Sequence, residues 1–306
     1  MQLRDNPIAS PLNYTGGKYK LLSQIFPLFP NNVNTFVDIF CGGCNVGVNI
    51  NAQRIICNDN NSKLIGLFNY LKKTEYLTFL NQVNKIIDDY HLSRSSENGY
   101  AFYGCNSSRG LGSYNKISFL NLRDNFNNLY ENEDLYFAKL YVLIVYAFNN
   151  QVRFNKDGKF NLPVGKRDLN KKMIQKLKLF MDNINNVDFT NEDFSKLNIH
   201  NLDNNDFVYA DPPYLITCAS YNELNGWNEA QERNLLKMLD DLNRCGVRFA
   251  LSNVLTAKGN INYILESWLH DNSNYICHHL DFSYKNSNYH KKEKDDQVDE
   301  VLITNY

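Results

Sequence analysis

The sequence predicts an α/β protein built on an open sheet, and three observations support this prediction. Short apolar, β-branched stretches alternate along the chain with segments whose apolar residues have helical spacing. The first strand pattern, at 35–41, runs directly into a glycine-containing loop, as at nucleotide-binding turns. Polar stretches at 92–116 and 148–162 then interrupt the alternation. A sheet with an inserted segment follows from this pattern.

Length and composition narrow the class of protein. A chain of 306 residues suits one large domain or a core with an insertion. The net charge of −1 gives no global argument for or against nucleic acid, so only local basic clusters are informative. Seven irregularly spaced cysteines without an export signal indicate reduced thiols. No stretch reaches the roughly 18–20 apolar residues of a membrane span, so we expect a cytoplasmic protein without a membrane partner.

The N-terminal motif Asn-Tyr-Thr-Gly-Gly-Lys, at 13–18, opens a helical pattern that prolines close near residue 30. The glycine pair Gly16 and Gly17 lets a ligand approach the backbone. Lys18 is suited to meet a carboxylate or a phosphate there, and a solvated lysine is the alternative.

The strand at 35–41 contains Asp38 and leads into Gly42 and Gly43, and we expect a helical segment after this loop. No Gly-Lys-Ser/Thr follows, so the loop is not a phosphate loop. The Cys-x-x-C spacing of Cys41 and Cys44 has no second pair nearby, so we predict loop packing and no metal.

A second short strand at 54–57 is followed by Asp59, about 20 residues after the first strand. An acid at this place commonly binds ribose hydroxyls, and an Asx turn leading into the next helix is the alternative. Residues 62–90 read as helical. A further strand at 187–189 is followed by Asp193 and Phe194 in the next turn.

The stretch Asp-Pro-Pro-Tyr at 211–214 follows a buried strand pattern at 206–210. The strand delivers the Asp211 carboxylate at its C-terminal end, and Pro212 and Pro213 turn the backbone rigidly away. The Asp211 carboxylate, a prolyl carbonyl and the Tyr214 ring can together hold a planar ring that carries an amino group. A simple exit from strand to loop with an exposed aspartate is the alternative.

The polar stretch 148–162 contains Asp157-Gly158 between two alternating runs, which predicts a β-hairpin. Arginine can bond guanine, asparagine and glutamine can read adenine, and a two-stranded ribbon fits the DNA major groove. An exposed polar hairpin is the alternative. The basic run that follows at 166–178 is either a solvated helix face or a set of phosphate contacts. Patterns near 235–242 and 261–269 predict helices, those at 247–252, 275–281 and 298–304 predict strands, and 285–300 reads as a flexible loop.

Four motifs stand in a fixed order: N-Y-T-G-G-K, F-V-D-I-F-C-G-G, N-D-N-N and D-P-P-Y. With F-N-N-Q-V-R-F-N, E-D-F, A-L-S-N and the terminal V-L-I-T-N-Y, they cover nearly the whole chain. This set resembles the Dam-like (D12 class, alpha-group) DNA adenine-N6 methyltransferases. The resemblance implies a Rossmann-like methyltransferase sheet with an inserted, mainly helical DNA-recognition domain that carries a β-hairpin. It implies a catalytic domain at 1–73 and 166–306 and a target-recognition insertion at 74–165.

The resemblance also implies S-adenosylmethionine as methyl donor and no metal. Tyr14 stands where many members have tryptophan, and Cys44 stands where the family pattern has a third glycine. The cofactor-binding residues implied by the matched motifs are Tyr14, Gly16, Gly17, Lys18, Asp38, Phe40, Gly42, Gly43, Asp59, Asp193, Phe194 and Asp211.

The resemblance gives the Asp-Pro-Pro-Tyr motif a catalytic role, with Asp211, Pro212, Pro213 and Tyr214 as its members. The Asp211 carboxylate and the Pro212 carbonyl would accept the two N–H bonds of a flipped adenine, and Tyr214 would stack on the base. Arg153 matches a guanine-reading arginine, but the sequence departs from the common F-N-G-L-Y-R, so a target other than GATC stays open. The candidate DNA contacts are Phe148, Asn149, Gln151, Arg153, Asn155 and Lys156.

The function expected from this resemblance is site-specific methylation of adenine N6 in duplex DNA, in a restriction–modification system. Double-stranded DNA and a cognate restriction endonuclease are the expected partners. Three alternatives remain: cytosine-N4 methylation, methylation of an RNA amine, and a catalytically silent DNA-binding module. A nicotinamide oxidoreductase fits the glycine turn but leaves Asp-Pro-Pro-Tyr unexplained.

Overall fold

An open sheet is the centre of the computed structural model, which describes residues 1, 3–130, 135–199, 201–217, 227–281 and 298–306. Within these residues the sheet has eight strands. Their bounds are β1 Val33–Asp38, β2 Ala52–Asn58, β3 Val187–Thr190, β4 Phe207–Ala210, β5 Arg248–Ala257, β6 Asn260–Ile261, β7 Ile276–Leu280 and β8 Val298–Thr304.

The strand order is β3-β2-β1-β4-β5-β8-β7, and β6 pairs with β5. Neighbours from β3 through β5 run parallel, whereas β8 is antiparallel to both β5 and β7. The chain order reverses between β1 and β4, and ligands of open α/β sheets bind in the crevice beyond the strand ends at such a point. The prediction of an α/β, Rossmann-like sheet is confirmed.

The described helices flank the sheet or fill the segment between β2 and β3. Their bounds are α1 Leu22–Ile25, α2 Ser62–Lys73, α3 Tyr76–Asp89, α4 Ser95–Phe102, α5 Gly112–Phe126, α6 Tyr136–Tyr146, α7 Lys171–Asn183, α8 Glu229–Arg244 and α9 Tyr263–Asp271. In the described part of the chain, no helix is both long and apolar enough to cross a membrane.

Helix α6 is the centre of the inserted region. It is apolar on almost every side, because all but two of its residues are buried, and a helix of this kind must be covered by neighbours. Helices α3 and α5 pack against it. The apolar cluster that includes Phe79 on α3 and Tyr141 on α6 also includes Phe36 on β1 and Phe68 on α2. The helical insertion therefore shares a continuous core with the sheet.

The helix predicted after the first glycine loop is wrong. Only a single 3₁₀ turn, Gly47–Asn49, lies between the loop and β2. The Asn49 amide bonds both the N–H and the carbonyl of Ile8, each at 2.8 Å. Cys44 takes a positive φ of 58°, which interrupts any helix there. The loop is thus fixed by the N-terminal segment and not by a helix of its own.

The polar stretch at 92–116, interpreted from the sequence as a mobile loop or an inserted segment, contains α4 and the start of α5. Gly99 has φ 74° and breaks α4 internally. The segment is bonded to its surroundings: the Asp168 carboxylate accepts the Ser93 hydroxyl at 3.0 Å and the Ser95 hydroxyl at 2.7 Å. The predicted flexible loop at 285–300 lies mostly outside the described residues, and its last three residues begin β8.

The predicted β-hairpin at 148–162, called here the recognition segment, forms its turn but not a ladder. Gly158 has φ 71° and its N–H bonds the Asn155 carbonyl at 2.9 Å, as a tight turn requires. Between the two arms the structure records one isolated bridge, Phe154 to Phe160. The Asn127 side chain bonds both the N–H and the carbonyl of Phe160, at 2.8 and 3.0 Å. Phe160 is thereby attached to the helical body through both of its backbone polar groups.

Candidate active site

The two central strands bring two predicted carboxylates together at the sheet's carboxyl edge. Asp38 is the last residue of β1, and Asp211 follows β4 directly. In the parallel pairing of these strands, Asp38 lies opposite Tyr209. The crevice predicted from strand order is therefore lined by side chains from both motifs.

The Asp211 carboxylate is bound on one oxygen. Its Oδ1 lies 2.8 Å from Lys18 Nζ and 3.0 Å from the Tyr214 hydroxyl oxygen. In the described part of the chain, no donor bonds Oδ2 or the carbonyl oxygen of Pro212. Burial raises the pKa of the Asp211 carboxyl, Lys18 and the Tyr214 hydroxyl oppose this rise, and Glu300 adds to it. Two acceptors thus remain for an incoming amino group.

Lys18 is a buried cation at the centre of this cluster. Its ammonium donates to the Gly16 carbonyl at 3.0 Å and pairs with Asp211 at 2.8 Å and Glu300 at 3.4 Å. It also lies 4.9 Å from the centroid of the Tyr214 ring. The predicted contact with a carboxylate is confirmed, and the alternative of a solvated lysine is wrong. The ammonium of Lys18 thus faces the ring that is predicted to stack on the target base.

Sequence reasoning did not find Glu300. This β8 residue is 1% exposed, and its Oε1 lies 3.1 Å from the Tyr214 hydroxyl oxygen. A glutamate beside the buried run Val301–Thr304 was the available signal, because acids in central strands are rare unless paired. Lys18, Asp211, Tyr214 and Glu300 are called the catalytic cluster below.

The N-terminal motif packs onto the glycine loop. A Cβ placed on Gly42 would lie 2.8 Å from Cδ1 of the Tyr14 ring, and Gly42 has φ 46°. Asp59 fixes the same loop, because its Oδ2 accepts the Gly42 N–H at 3.0 Å while Oδ1 accepts the Asn61 N–H at 2.9 Å. The Asx turn proposed as the alternative for Asp59 is therefore present, and burial raises the pKa of this carboxyl.

Three buried cysteines, Cys41, Cys44 and Cys57, lie in or next to the glycine loop. Cys44 adopts the left-handed conformation that a glycine would take most readily, and its Sγ lies 3.7 Å from Sγ of Cys57. Burial raises the pKa of the Cys41 and Cys57 thiols well above the usual range, so they are neutral packing groups. Within the described ranges, no group of three or more histidine, cysteine or acidic side chains is arranged to hold a metal ion.

Asp38 has an unsatisfied carboxylate oxygen. The residue is 1% exposed, and its Oδ1 has no hydrogen-bond partner in the part of the chain that the structure describes. Burial raises the pKa of the Asp38 carboxyl well above its usual range, and Asp211 and Asp59 raise it further. A buried acceptor without a donor is costly, so this oxygen is suited to receive an ammonium or amino group from a ligand.

Three aromatic rings meet beside this carboxyl edge. The Phe40 ring lies 5.4 Å from Phe194 and 5.6 Å from Trp227, centroid to centroid. Sequence reasoning found Phe40 and Phe194 but missed Trp227, whose indole N–H donates to the buried carboxylate of Glu232. Asp193, just before Phe194, caps the following 3₁₀ turn by accepting the Ser195 N–H at 2.9 Å.

A cavity of about 400 Å³ connects the N-terminal motif to the recognition segment. One side is formed by residues 9–21, including Tyr14 and Lys18, and the other by Asn45, Gln151, Lys176 and Glu300. The Asn13 side chain also donates to the Asn149 carbonyl at 2.7 Å. Of the predicted DNA contacts, Gln151 is thus the one that the structure brings to the cavity with the catalytic cluster.

The other predicted DNA contacts lie on the outer surface of the recognition segment. Phe148 is 48% exposed, which is unusual for a large apolar ring. Arg153 is exposed and held by Asn161, whose Oδ1 accepts Nε–H at 2.8 Å. Asn155 uses its Oδ1 to accept the N–H groups of Asp157 and Lys159, so its side chain builds the turn. Lys156 is exposed at the tip.

Comparison with known proteins places the chain in a family. Residues 14–288 match the family model for the D12 class of N6 adenine-specific DNA methyltransferases. The chain is 42% identical to the type II methyltransferase M.FokI of Planomicrobium okeanokoites and 40% identical to the modification methylase StsI of Streptococcus sanguinis, over 98% of the chain in each case. It is 29% identical to the DNA adenine methylase of Haemophilus influenzae, over 66% of the chain and 63% of that protein.

The alignments cover unequal shares of the proteins compared. The chain spans 43% of the length of M.FokI and of StsI. It therefore corresponds to less than half of each of these two relatives.

Proposed function

The chain belongs to the D12 class of N6 adenine-specific DNA methyltransferases, and from this premise we propose that it methylates adenine N6 at a specific site in duplex DNA. The observation that carries the proposal is the Asp211 carboxylate, whose Oδ2 and neighbouring Pro212 carbonyl have no donor among the described residues. These two acceptors match the two N–H bonds of an adenine amino group.

The two acceptors act on the electrons of the target nitrogen. The lone pair of an aromatic amine is delocalised into the purine, so the nitrogen is a weak nucleophile. Hydrogen bonds from its two N–H groups to Asp211 Oδ2 and the Pro212 carbonyl localise the lone pair. Groups fixed before the substrate arrives lower the barrier by position and electrostatics. Lys18 and Tyr214 supply that fixation, because both bind Asp211 Oδ1.

S-adenosylmethionine is the proposed methyl donor, and when bound it supplies a sulfonium methyl group. The residues present fit it. The unsatisfied Asp38 oxygen is suited to accept from the amino group of S-adenosylmethionine. The glycine loop, which packs closely against Tyr14 at Gly42, is proposed to contact the methionine part. Asp59 is proposed for the ribose, and Asp193 and Phe194 for the adenine side. Trp227 joins this set because its ring contacts Phe40 and Phe194.

The recognition segment is proposed to read the target sequence, within a target-recognition region at 74–165. A base inside a duplex cannot reach Asp211, so the adenine must be flipped out of the stack. The exposed Phe148 ring is proposed to fill the space that the base leaves, and the exposed Arg153 side chain is proposed to bond a guanine edge. Tyr214 is proposed to stack on the flipped adenine.

Restriction–modification is the proposed biological setting. Two of the most similar relatives are named a type II methyltransferase and a modification methylase. A methylase of this kind protects its site against an endonuclease that cleaves the same sequence. The proposed partner is therefore a cognate endonuclease whose cleavage is blocked on DNA that this protein has methylated.

Mass spectrometry of nucleosides tests the reaction. The purified protein is incubated with S-adenosylmethionine and unmethylated duplex DNA, or with RNA in a parallel reaction, and each nucleic acid is digested to nucleosides. We expect N6-methyladenine. N4-methylcytosine, methylation of RNA alone, or DNA binding without any methylated product would each support one of the three alternatives and contradict the proposal.

A further inference from the structure

Glu300 is a buried carboxylate on β8, a strand with a neighbour on each side. Its strand β8 is paired on both sides, with Val254 of β5 and Leu280 of β7 opposite Glu300. Burial of an ionised carboxylate is costly unless a cation or hydrogen-bond donors lie against it. Here Lys18 Nζ lies 3.4 Å and the Tyr214 hydroxyl oxygen 3.1 Å from Glu300 Oε1.

Asp211 and Glu300 share these two partners. Lys18 is one cation between two carboxylates, at 2.8 Å from Asp211 and 3.4 Å from Glu300. The Tyr214 hydroxyl has one hydrogen, and its oxygen lies 3.0 Å from Asp211 Oδ1 and 3.1 Å from Glu300 Oε1. One hydrogen cannot be donated fully to two ionised acceptors. Uptake of one proton by either carboxylate therefore lets Lys18 and the Tyr214 hydrogen bind the other carboxylate fully.

We propose that Glu300 is a positioning residue that makes Asp211 the proton acceptor of methyl transfer, by competing with Asp211 for Lys18 and for the Tyr214 hydroxyl. This inference rests on the proposed function. The reaction forms a bond between N6 and the methyl carbon and breaks the bond between that carbon and sulfur. The nitrogen then carries one hydrogen too many, and this proton passes to Asp211 Oδ2.

The charges balance within the cluster. Proton uptake leaves Asp211 neutral, N6-methyladenine neutral and the sulfur as a thioether. The Tyr214 hydrogen then turns fully to Glu300, which stays paired with Lys18. The Asp211 side chain is 17% exposed, so the proton can leave to solvent after the product departs.

The groups around Asp211 determine the direction of its pKa. Burial makes the largest contribution and raises the pKa of the Asp211 carboxyl; Glu300 also raises it, whereas Lys18 and the Tyr214 hydroxyl lower it. Burial raises the pKa of the Asp38 carboxyl and of the Tyr209 hydroxyl, and proximity to Asp211 raises both further. Among the described residues, the titratable and charged groups facing Asp211 are Lys18, Asp38, Tyr209, Tyr214 and Glu300.

Two substitutions test the role with effects of opposite sign. Glu300→Gln keeps the shape and removes the negative charge, so the pKa of Asp211 falls and the acidic limb of the rate profile moves to lower pH. The weaker base also lowers the plateau rate, by about tenfold. Tyr214→Phe removes a donor to Asp211, so the pKa of Asp211 rises and the acidic limb moves to higher pH. A merely structural role cannot produce opposite shifts.

The measurement is the single-turnover rate of methyl transfer across about pH 5 to 9, with saturating DNA and S-adenosylmethionine. Asp206→Asn is the matched control, because Asp206 is buried at the other end of β4 and accepts the Thr35 and Asp203 N–H groups at 2.8 and 2.9 Å. We expect its acidic limb to match the wild type. We also expect calorimetry to give the wild-type affinity of Glu300→Gln for S-adenosylmethionine.

The outcomes separate the two proposals. If the wild-type protein forms no N6-methyladenine, the proposed function fails. If the wild type is active but Glu300→Gln has the wild-type limb and plateau, or only a uniform loss at every pH, the role of Glu300 is wrong. If Glu300→Gln does not fold, the Tyr214→Phe profile decides, because an unshifted limb there removes the shared hydroxyl on which the inference depends.

Discussion

The catalytic cluster and the recognition segment are built in opposite ways. The cluster joins three distant parts of the chain, at residues 18, 211–214 and 300, and its Lys18 and Glu300 are almost fully buried. The recognition segment has its own short-range contacts, such as Asn155 to Lys159 and Arg153 to Asn161, and the Phe148 and Arg153 side chains, which are proposed to contact DNA, are exposed. The charges of the cluster are paired before substrate arrives, whereas the exposed side chains of the recognition segment are proposed to find partners on DNA.

This difference follows from what each region has to do. Electrostatic stabilisation works when charges and dipoles are fixed in a dry site before the reaction. Base reading works by hydrogen bonds to groove edges, so the side chains must be free to meet them. Substitutions in the cluster should therefore change rate or stability, and those in the recognition segment should change sequence preference.

The largest expected effect is a loss of methyl-transfer rate in the Asp211→Ala variant. The substitution removes one of the two proposed acceptors of the target amino group, and we expect a loss of at least about 10³-fold in single-turnover rate. Lys18 keeps Glu300 as a partner, so the fold and the affinity for S-adenosylmethionine should persist. Calorimetric binding and a single-turnover assay on one preparation measure both. Activity close to wild type would remove Asp211 from the mechanism.

The next effect is on stability. Lys18→Met removes the buried cation that pairs with the Asp211 and Glu300 carboxylates, and we expect about 3–5 kcal/mol lower free energy of unfolding at neutral pH. Lys85→Met is the control, because it breaks the exposed Lys85–Asp89 pair at 2.8 Å, worth about 0–1 kcal/mol. Urea denaturation of both variants measures the difference. Equal losses in the two variants would contradict a structural role for the buried cation.

The stability deficit of Lys18→Met should depend on pH in a defined direction. Lys18 lowers the pKa of Asp211 against the rise that burial causes, so its removal raises that pKa further. A carboxyl whose folded pKa lies above its unfolded value binds protons preferentially in the folded state. The stability deficit of Lys18→Met should therefore shrink as pH falls through the folded pKa of Asp211. A deficit that grows on acidification would show that another group dominates.

In the recognition segment we expect a change in base preference at the target sequence. Arg153→Ala should reduce discrimination at a single base position by about 1–3 kcal/mol while the rate on the best site stays near wild type. Arg153→Lys is the matched control, because it keeps the charge but not the bidentate donor pair, and it should lose the same preference. Sequencing of methylated positions in a randomised DNA library measures this. An unchanged preference would exclude Arg153 as a reader.

The smallest expected effect is in the glycine loop, where two variants separate the cost of backbone strain from the cost of contact with the Tyr14 ring. Gly42→Ala combines a left-handed φ with a Cβ 2.8 Å from the Tyr14 ring, whereas Gly99→Ala has φ 74° and nothing within 4 Å. The strain alone costs about 1–2 kcal/mol of stability in either variant. Only Gly42→Ala should also weaken binding of S-adenosylmethionine, as calorimetry can measure. Equal affinities would show that Tyr14 moves aside freely.

The features predictable from sequence were those set by local pattern. Asp211 follows a short apolar run, so a strand end and a carboxylate could be predicted together, whereas the strand predicted at 35–41 ends at Asp38 in the structure. The Asn155–Lys159 turn was equally local, because Gly158 supplies the positive φ. Glu300 was not predictable, since its meaning depends on Lys18 and Tyr214, which only the sheet order brings beside β8.

The errors have the same origin. The ladder expected at 148–162 is reduced to one bridge, and Phe160 instead bonds the side chain of Asn127, 33 residues earlier, through its N–H and its carbonyl. The helix expected after Gly43 is absent because Asn49 bonds Ile8, 41 residues earlier. Periodicity and turn signals carry no information about such distant side-chain partners.

The Asn127 bonds have a consequence for engineering. They fix Phe160 to the helical body, and Phe154 packs against Phe160 with ring centroids 5.8 Å apart. The tip between these two rings is consequently a loop with both ends secured, and changing the length of such a loop costs little entropy. Tips of other lengths should therefore be tolerated between Phe154 and Phe160, without changes elsewhere in the chain.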